Sequence, residues 1–192
     1  MKAGQDVMVI GAAGGVGSFA LQIAKAFGAR VTGVCSTGQI DRVIASGADE
    51  AIDYTREDFT QIGRRWDVII ETAGARPISE LRRALTEKGT FVLVGGEGGG
   101  RWVGKAGRMV EAPMISPFIS QNLRTLTVKH NGDDLVVLKD LIEAGKVTPV
   151  VGSTYSLQEV PRAMRDLIEG RLQGKTVIAV KPAAASGEER TS

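Results

Sequence analysis

Residues 11–17 read "GAAGGVG", between the apolar run "VMVI" (7–10) and the segment "SFALQIAKAFG" (18–28). A glycine-rich stretch between a strand pattern and a helix pattern has two readings. It is a tight structural turn, or it is a seat for a phosphate. In the second case the bare backbone approaches a pyrophosphate, and the helix N-terminus offers free N–H groups and a partial positive charge. Spaced as Ala12-x-Gly14-x-x-Gly17, the stretch gives the dinucleotide-binding fingerprint with Ala at its first position.

Spaced as Gly11-x-x-x-Gly15-x-Gly17, it equally matches the turn of short-chain dehydrogenases, which need a Tyr-x-x-x-Lys pair as acid and base. Here Tyr54 is followed four residues on by Asp58, and Tyr155 by Glu159, so that reading fails. The end of the second strand bears on cofactor choice. An NAD site places a carboxylate there for the ribose hydroxyls, about 20 residues past the first glycine. This chain has "VCST" (34–37) and no acid before Asp41. Ser36 and Thr37 can bond a 2′-phosphate and Arg42 can supply charge, which favours NADPH over NADH; the two hydroxyls can equally cap the next helix.

Outward from the glycines the pattern alternates. Val16, Phe19, Ala20, Ile23, Ala24 and Phe27 mark one apolar helix face, closed by Gly28. "RVTGVC" (30–35), "EAIDY" (50–54), "WDVIIETAG" (66–74) and "TFVLVGG" (90–96) read as strands. "QIDRVIASG" (39–47), "REDFTQIG" (56–63) and "ISELRRALTEKG" (78–89) read as intervening helices. Near-continuous apolar strands alternating with helices predict an α/β fold: a Rossmann-type, doubly wound parallel sheet of about six strands with C-terminal helices. Further on, "APMISPFISQ" (112–121) is partly helical and "LRTLTVKH" (123–130) is a sixth strand. "DLVVLKDLIEAG" (134–145) is a helix capped by Asp133 or Asp134 and ended by Gly145. "VPRAMRDLIEG" (160–170) is a final helix and "KTVIAV" (175–180) a final strand.

Composition narrows the function classes. The net charge of +2 comes from 24 basic and 22 acidic residues scattered along the chain. Nucleic acid or an anionic membrane needs a clustered basic face instead. A single cysteine, Cys35, excludes an internal disulfide and fits a reducing compartment. The opening residues carry no signal-peptide pattern, and no apolar run approaches the roughly 20 residues of a membrane span. A cytoplasmic protein with no nucleic-acid or membrane partner is the expectation. One Cys and one His cannot assemble a zinc site of three or four N/S ligands, so no metal is expected. Cys35 reads as a small core residue, His130 as a solvated strand end, and Arg82, Arg83, Arg162 and Arg165 as solvated faces. Residues 99–105 spell G-x-x-x-x-G-K, but Ala106 stands where a P-loop needs Ser or Thr, and Trp102 sits poorly in a phosphate loop.

"KAGQDVMVIGAAGGVGSFALQIAKAFGARVTGVCST" (2–37), "GADEAIDYTREDF" (47–59) and "LRRALTEKGTFVLVGGEGGGRW" (81–102) together resemble the medium-chain dehydrogenase/reductases, in their zinc-independent, quinone-oxidoreductase-like branch. "DLVVLKDLIEAGKVTPVV" and "VPRAMRDLIEGRLQGKTVIAV" extend the resemblance to residues 2–181, leaving 182–192 as a disordered tail. The resemblance implies an NAD(P)-binding Rossmann domain over 1–181, without the family's N-terminal GroES-like catalytic domain. It places the pyrophosphate on Ala13, Gly14, Gly15, Val16 and Gly17, the 2′-phosphate on Ser36 and Tyr54, and the nicotinamide near Thr72, Ala73, Gly74, Gly95 and Gly96. Gly38 and Gln39 stand where relatives often carry a basic residue, with Arg42 as substitute. The implied activity is NADPH-dependent hydride transfer to a small quinone, enone or carbonyl compound; the competing reading is a non-catalytic dinucleotide-binding module acting as sensor or partner subunit. The resemblance also implies a homodimer through the edge strand at "LRTLTVKH". The loop around Arg101 and Trp102 would border the substrate cleft, and the strands in "VVGSTYSL" and "KTVIAV" would lack partners.

Overall fold

The computed structural model describes residues 1–73, 76–94, 120–126, 131–169, 171–172 and 174–180. The chain divides into two compact units, Met1–Thr148 and Pro149–Ser192. The first contains β1 (Asp6–Ile10), α1 (Gly17–Ala26), β2 (Arg30–Cys35), α2 (Ile40–Ala45), β3 (Glu50–Asp53), β4 (Trp66–Glu71), α3 (Ile78–Arg83), β5 (Leu85–Leu93), β6 (Asn122–Thr125) and α4 (Gly132–Glu143). Its strands form one sheet in the order β3-β2-β1-β4-β5-β6, every pairing parallel. That is the Rossmann order, in which the chain moves outward from β1 to β3, then returns to β4 and moves the other way.

The apolar continuity of β1 follows from burial on both faces. Alternate residues of a strand point to opposite sides of the sheet. Val7 and Val9 pack with Leu21 and Ala24 of α1 and Val43 of α2. Met8 and Ile10 pack on the other side with Trp66, Ile69, and Ile78 and Leu81 of α3. Each fully buried Leu, Ile or Val side chain contributes about 1.5–3 kcal/mol. The exposed pairs Lys25–Asp49 and Arg30–Asp6 contribute at most about 1 kcal/mol each. The two apolar layers therefore hold the sheet.

Local details depart from the sequence reading in five places. The buried face of α1 carries Gly17, Ser18, Leu21, Gln22 and Ala24, while Val16 and Phe27 are exposed. The helix is apolar on most sides, and the side offering small residues is the one that can approach β1. Residues 56–63 form turns instead of a helix. The Asp58 carboxylate accepts the Thr60 N–H at 3.0 Å and the Gln61 amide at 2.9 Å, giving that backbone a local alternative to helical bonds. Helix α3 ends at Arg83, well before residue 89, because Trp66 N–H donates to Ala84 O at 2.8 Å and Leu85 enters the sheet beside Trp66. The N-cap of α4 is Asn131, whose side chain accepts the Asp133 N–H, and neither aspartate caps it. No side chain caps the 3-10 turn Thr37–Gln39 that leads into α2. Gly28 and Gly145 follow α1 and α4 at φ +80 and +67, as C-terminal glycines should. Residues 112–119 and 127–130, from the expected helix and the end of the sixth strand, lie outside the described residues, as do His130 and the 99–106 loop.

The second unit contains β7 (Val151–Ser156), α5 (Val160–Ile168) and β8 (Lys175–Ala179). The strands expected to lack partners pair with each other in a two-stranded parallel sheet. Helix α5 is the crossover that a parallel pair requires. Asp166 of α5 ties the unit, accepting the Tyr155 hydroxyl at 2.8 Å and Arg171 Nε at 2.9 Å.

Candidate functional site

Where the winding reverses, the C-terminal ends of β1 and β4 leave a crevice, the usual ligand position in an open α/β sheet. A cavity of about 500 Å³ occupies it. Its wall comes from four strand ends: Ile10, Gly11, Ala13 and Gly14 after β1, Val34 to Ser36 and Gln39 around β2, Tyr54 and Phe59 after β3, and Glu71 to Ala73 with Arg76 after β4.

The glycine turn is built from backbone against backbone. Gly11 takes φ +80, and its N–H and that of Ala12 both donate to Val34 O at 3.1 Å. Gly11 O accepts the Gly14 N–H at 3.0 Å, and the Thr72 hydroxyl donates to Ile10 O at 2.9 Å, tying the ends of β1 and β4. Helix α1 then begins at Gly17 with no capping side chain and no acidic residue in its first turn. In its first turn the Ser18 N–H donates to Gly14 O at 2.9 Å and the Ala20 N–H to Val16 O at 3.0 Å, so what the helix start offers a ligand is chiefly its partial positive charge.

At the β2–β3 end, Cys35 pairs with Asp53 in the sheet register. The Asp53 carboxylate accepts the Thr37 hydroxyl, and also the Thr55 N–H at 2.9 Å and hydroxyl at 2.6 Å. These donors, Thr37 first, hold the Asp53 carboxyl below the usual carboxylate range. Burial, together with the Asp53 charge, pushes the Cys35 thiol up, so it stays a neutral core group. Between the loops that follow β3 and β4, Arg76 lies over the Phe59 ring, 4.8 Å from its centroid, and pairs with Asp58 at 2.8 Å.

Of the residues singled out from the sequence, Ala13, Gly14, Ser36, Tyr54, Thr72 and Ala73 line this one cavity. Gly15, Val16 and Gly17 belong to the same turn without lining the cavity. Gly17 is buried beneath it and Val16 is exposed. Thr37 is committed to Asp53, and Arg42 reaches Gln39 at 3.3 Å instead of the cavity. Gly74, Gly95 and Gly96 lie outside the described residues. The sequence reading named Gln39 only as standing where relatives carry a basic residue, and it missed Asp53, Phe59, Glu71 and Arg76. Only Glu71, a charge closing the apolar run "WDVIIE", had a visible signal, and it is almost fully buried.

Among the described residues no three His, Cys, Asp or Glu side chains converge as a metal site. With one Cys and one His, the chain cannot supply the three or four nitrogen and sulfur ligands of a closed zinc site.

The sequence profile of the zinc-binding dehydrogenases matches residues 46–178. The chain is 30% identical to the mitochondrial NAD(P)H oxidoreductase RTN4IP1 of Danio rerio, over 93% of this chain and 50% of that protein. It is 33% identical to the 2-methylene-furan-3-one reductase of Solanum lycopersicum, over 92% of this chain and 41% of that protein. The chain thus spans about half the length of the curated relatives it matches. The structure of the quinone oxidoreductase from Coxiella burnetii superposes with a TM-score of 0.77 at 28% identity, covering 94% of this chain and 54% of that one.

Proposed function

We propose, from the premise that this chain belongs to the zinc-binding dehydrogenase family, within the medium-chain dehydrogenase/reductases, that its crevice seats NAD(P)H. On this reading the chain is the cofactor-binding portion of an oxidoreductase for quinones, enones or related carbonyl compounds. The observation that carries the reading is the cavity at the β1/β4 reversal, walled by a glycine turn that opens an uncapped helix. The dinucleotide supplies a hydride from nicotinamide C4 when bound. The chain's own task is binding and orientation, which turn a collision into a positioned encounter. The backbone of residues 13–17 takes the pyrophosphate, Ser36 and Tyr54 the adenosine ribose, and Thr72 and Ala73 flank the nicotinamide end.

NADPH is the preferred form. β2 ends in Cys35 and is followed by Ser36, without the carboxylate that an NAD site sets there. Asp53 is near, but its oxygens already accept bonds from Thr37 and Thr55. Selectivity therefore rests on Ser36 and Tyr54, with Thr37 and Arg42 turned to other partners. No zinc held by this chain takes part in the chemistry.

Steady-state NADPH oxidation by the purified chain, with quinone and enone acceptors, tests the activity. Turnover with either acceptor class supports an oxidoreductase. Saturable NADPH binding without turnover identifies a module that only holds the dinucleotide.

A further inference from the structure

We infer that Arg76 is the adenine platform of this crevice, its guanidinium plane backed by the Phe59 ring and stacking on the purine of the dinucleotide. The inference rests on the reading that the crevice takes NAD(P)H. Phe59 is 2% exposed and anchored in the core with Trp66, Ile69 and Leu81, so the surface under the guanidinium is rigid. Arg76 Cζ stands 4.8 Å from the Phe59 centroid, and Nη1 donates to Asp58 Oδ1 at 2.8 Å and Glu80 Oε2 at 3.3 Å. One face of the plane is covered and one edge is held. Phe59 and Arg76 line the same cavity as Ser36 and Tyr54, and Phe59 follows Tyr54 in the loop after β3, which sets the pair on the side that the reading above gives to the adenosine.

The chemistry selects the purine over the other parts of the ligand. A guanidinium stacks well on a neutral, extended π face. An oxidised nicotinamide ring is itself a cation and is repelled from the same plane. A phosphate drawn to this edge of Arg76 meets the two carboxylates already there, and like charges at such distances oppose binding. Arg76 thus acts by shape and stacking more than by net charge, and its contribution is common to NADPH and NADH.

The test is calorimetric titration of the full chain and of its Arg76→Ala and Arg76→Lys variants with NADPH, NADH and ADP-ribose. Arg76→Lys keeps the charge and a donor for Asp58 but lacks the plane. Both variants should lose about tenfold in affinity for all three ligands, with the thermal midpoint of Arg76→Lys close to that of the parent. Unchanged affinity in both variants overturns the assignment. So does a loss confined to NADPH, which would put the guanidinium on the 2′-phosphate. A folded parent chain that binds none of the three ligands overturns the dinucleotide reading, and this inference with it.

Discussion

Gly17 lies against the carbonyl of Gly11 with no room for a side chain: a Cβ at position 17 would stand 2.1 Å from Gly11 O and 2.9 Å from the Ala12 α-carbon. Both neighbours are backbone, so neither can rotate away. Gly17→Ala must shift the start of α1 off β1. Overpacking of this kind costs about 1–3 kcal/mol, and each kcal/mol lowers the melting temperature by about 2–4 °C at this chain length. NADPH binding should fall with it, because the turn and the helix start move together. Thermal melts and a titration check this, and a parent-like Gly17→Ala would reject the close contact.

A second packing prediction concerns β2. Gly33 faces α1 and α2, and a Cβ there would stand 2.3 Å from Val43 Cγ1 and 3.0 Å from Ala12 Cβ. The β-branched Val43 has few rotamers into which to retreat. Gly33→Ala should cost about 1–3 kcal/mol by denaturant unfolding, while leaving the cavity residues in place. Its affinity for NADPH, measured under conditions where the variant is folded, should match the parent.

The core holds one polar pair whose members depend on each other. The Trp66 indole N–H donates to the Thr32 hydroxyl at 3.2 Å, and both residues are essentially fully buried. Thr32→Val keeps the shape but strands the indole donor, at a cost of about 1–3 kcal/mol. Adding Trp66→Phe removes that donor but opens a gap. The double variant should therefore be destabilised by less than the sum of the two single changes. Strict additivity in a double-mutant cycle would show that the bond contributes nothing.

Acid sensitivity follows from Asp53. Its carboxyl is depressed by the Thr37 and Thr55 donors, so the charged form is favoured in the fold. A depressed pKa contributes stability that is present above the unfolded value of about 3.9 and is lost as pH falls through the folded value. The melting temperature should drop from pH 5 toward pH 3, and Asp53→Asn should show a shallower drop over that window. Equal slopes would remove Asp53 from the account.

Cofactor preference is tested at Ser36. Ser36→Asp puts a carboxylate beside a 2′-phosphate and beside ribose hydroxyls alike, but only the first is repelled. Affinity for NADPH should fall by at least about tenfold, a loss of about 1.4 kcal/mol, while NADH is affected little. Equal losses for both cofactors would remove the basis for NADPH preference.

How far the sequence could be read depended on whether the forces were local. β1, β4 and the turn between β1 and α1 were legible because burial on both faces leaves an unbroken apolar run, and the reversal to a helix leaves its glycines in view. The buried face of α1 was not legible. Phe19, Ile23 and Phe27 form as good a stripe as Gly17, Leu21 and Ala24, and the choice between them is made by how closely the helix must approach β1. Residues 56–63 have helix-compatible spacing, yet Asp58 bonds its own downstream backbone. The site divides in the same way. Ala13, Gly14, Ser36 and Tyr54 sit at strand ends that the alternation locates. Phe59 and Arg76 come from two loops that meet only in the fold, and no period or motif joins them. Asp53 was hidden because it belongs to β3, although its carboxylate acts at the end of β2.

The central claim is that residues 11–17 seat a pyrophosphate, and the most direct measurement is the affinity of the folded chain for NADPH with and without Gly15→Asp. That substitution puts bulk and a negative charge where the phosphates would lie, at a position outside the core. The account predicts saturable binding by the parent and loss of detectable binding by Gly15→Asp, with its melting temperature near that of the parent. Undiminished affinity in the folded variant would contradict it and leave the glycines as a turn alone.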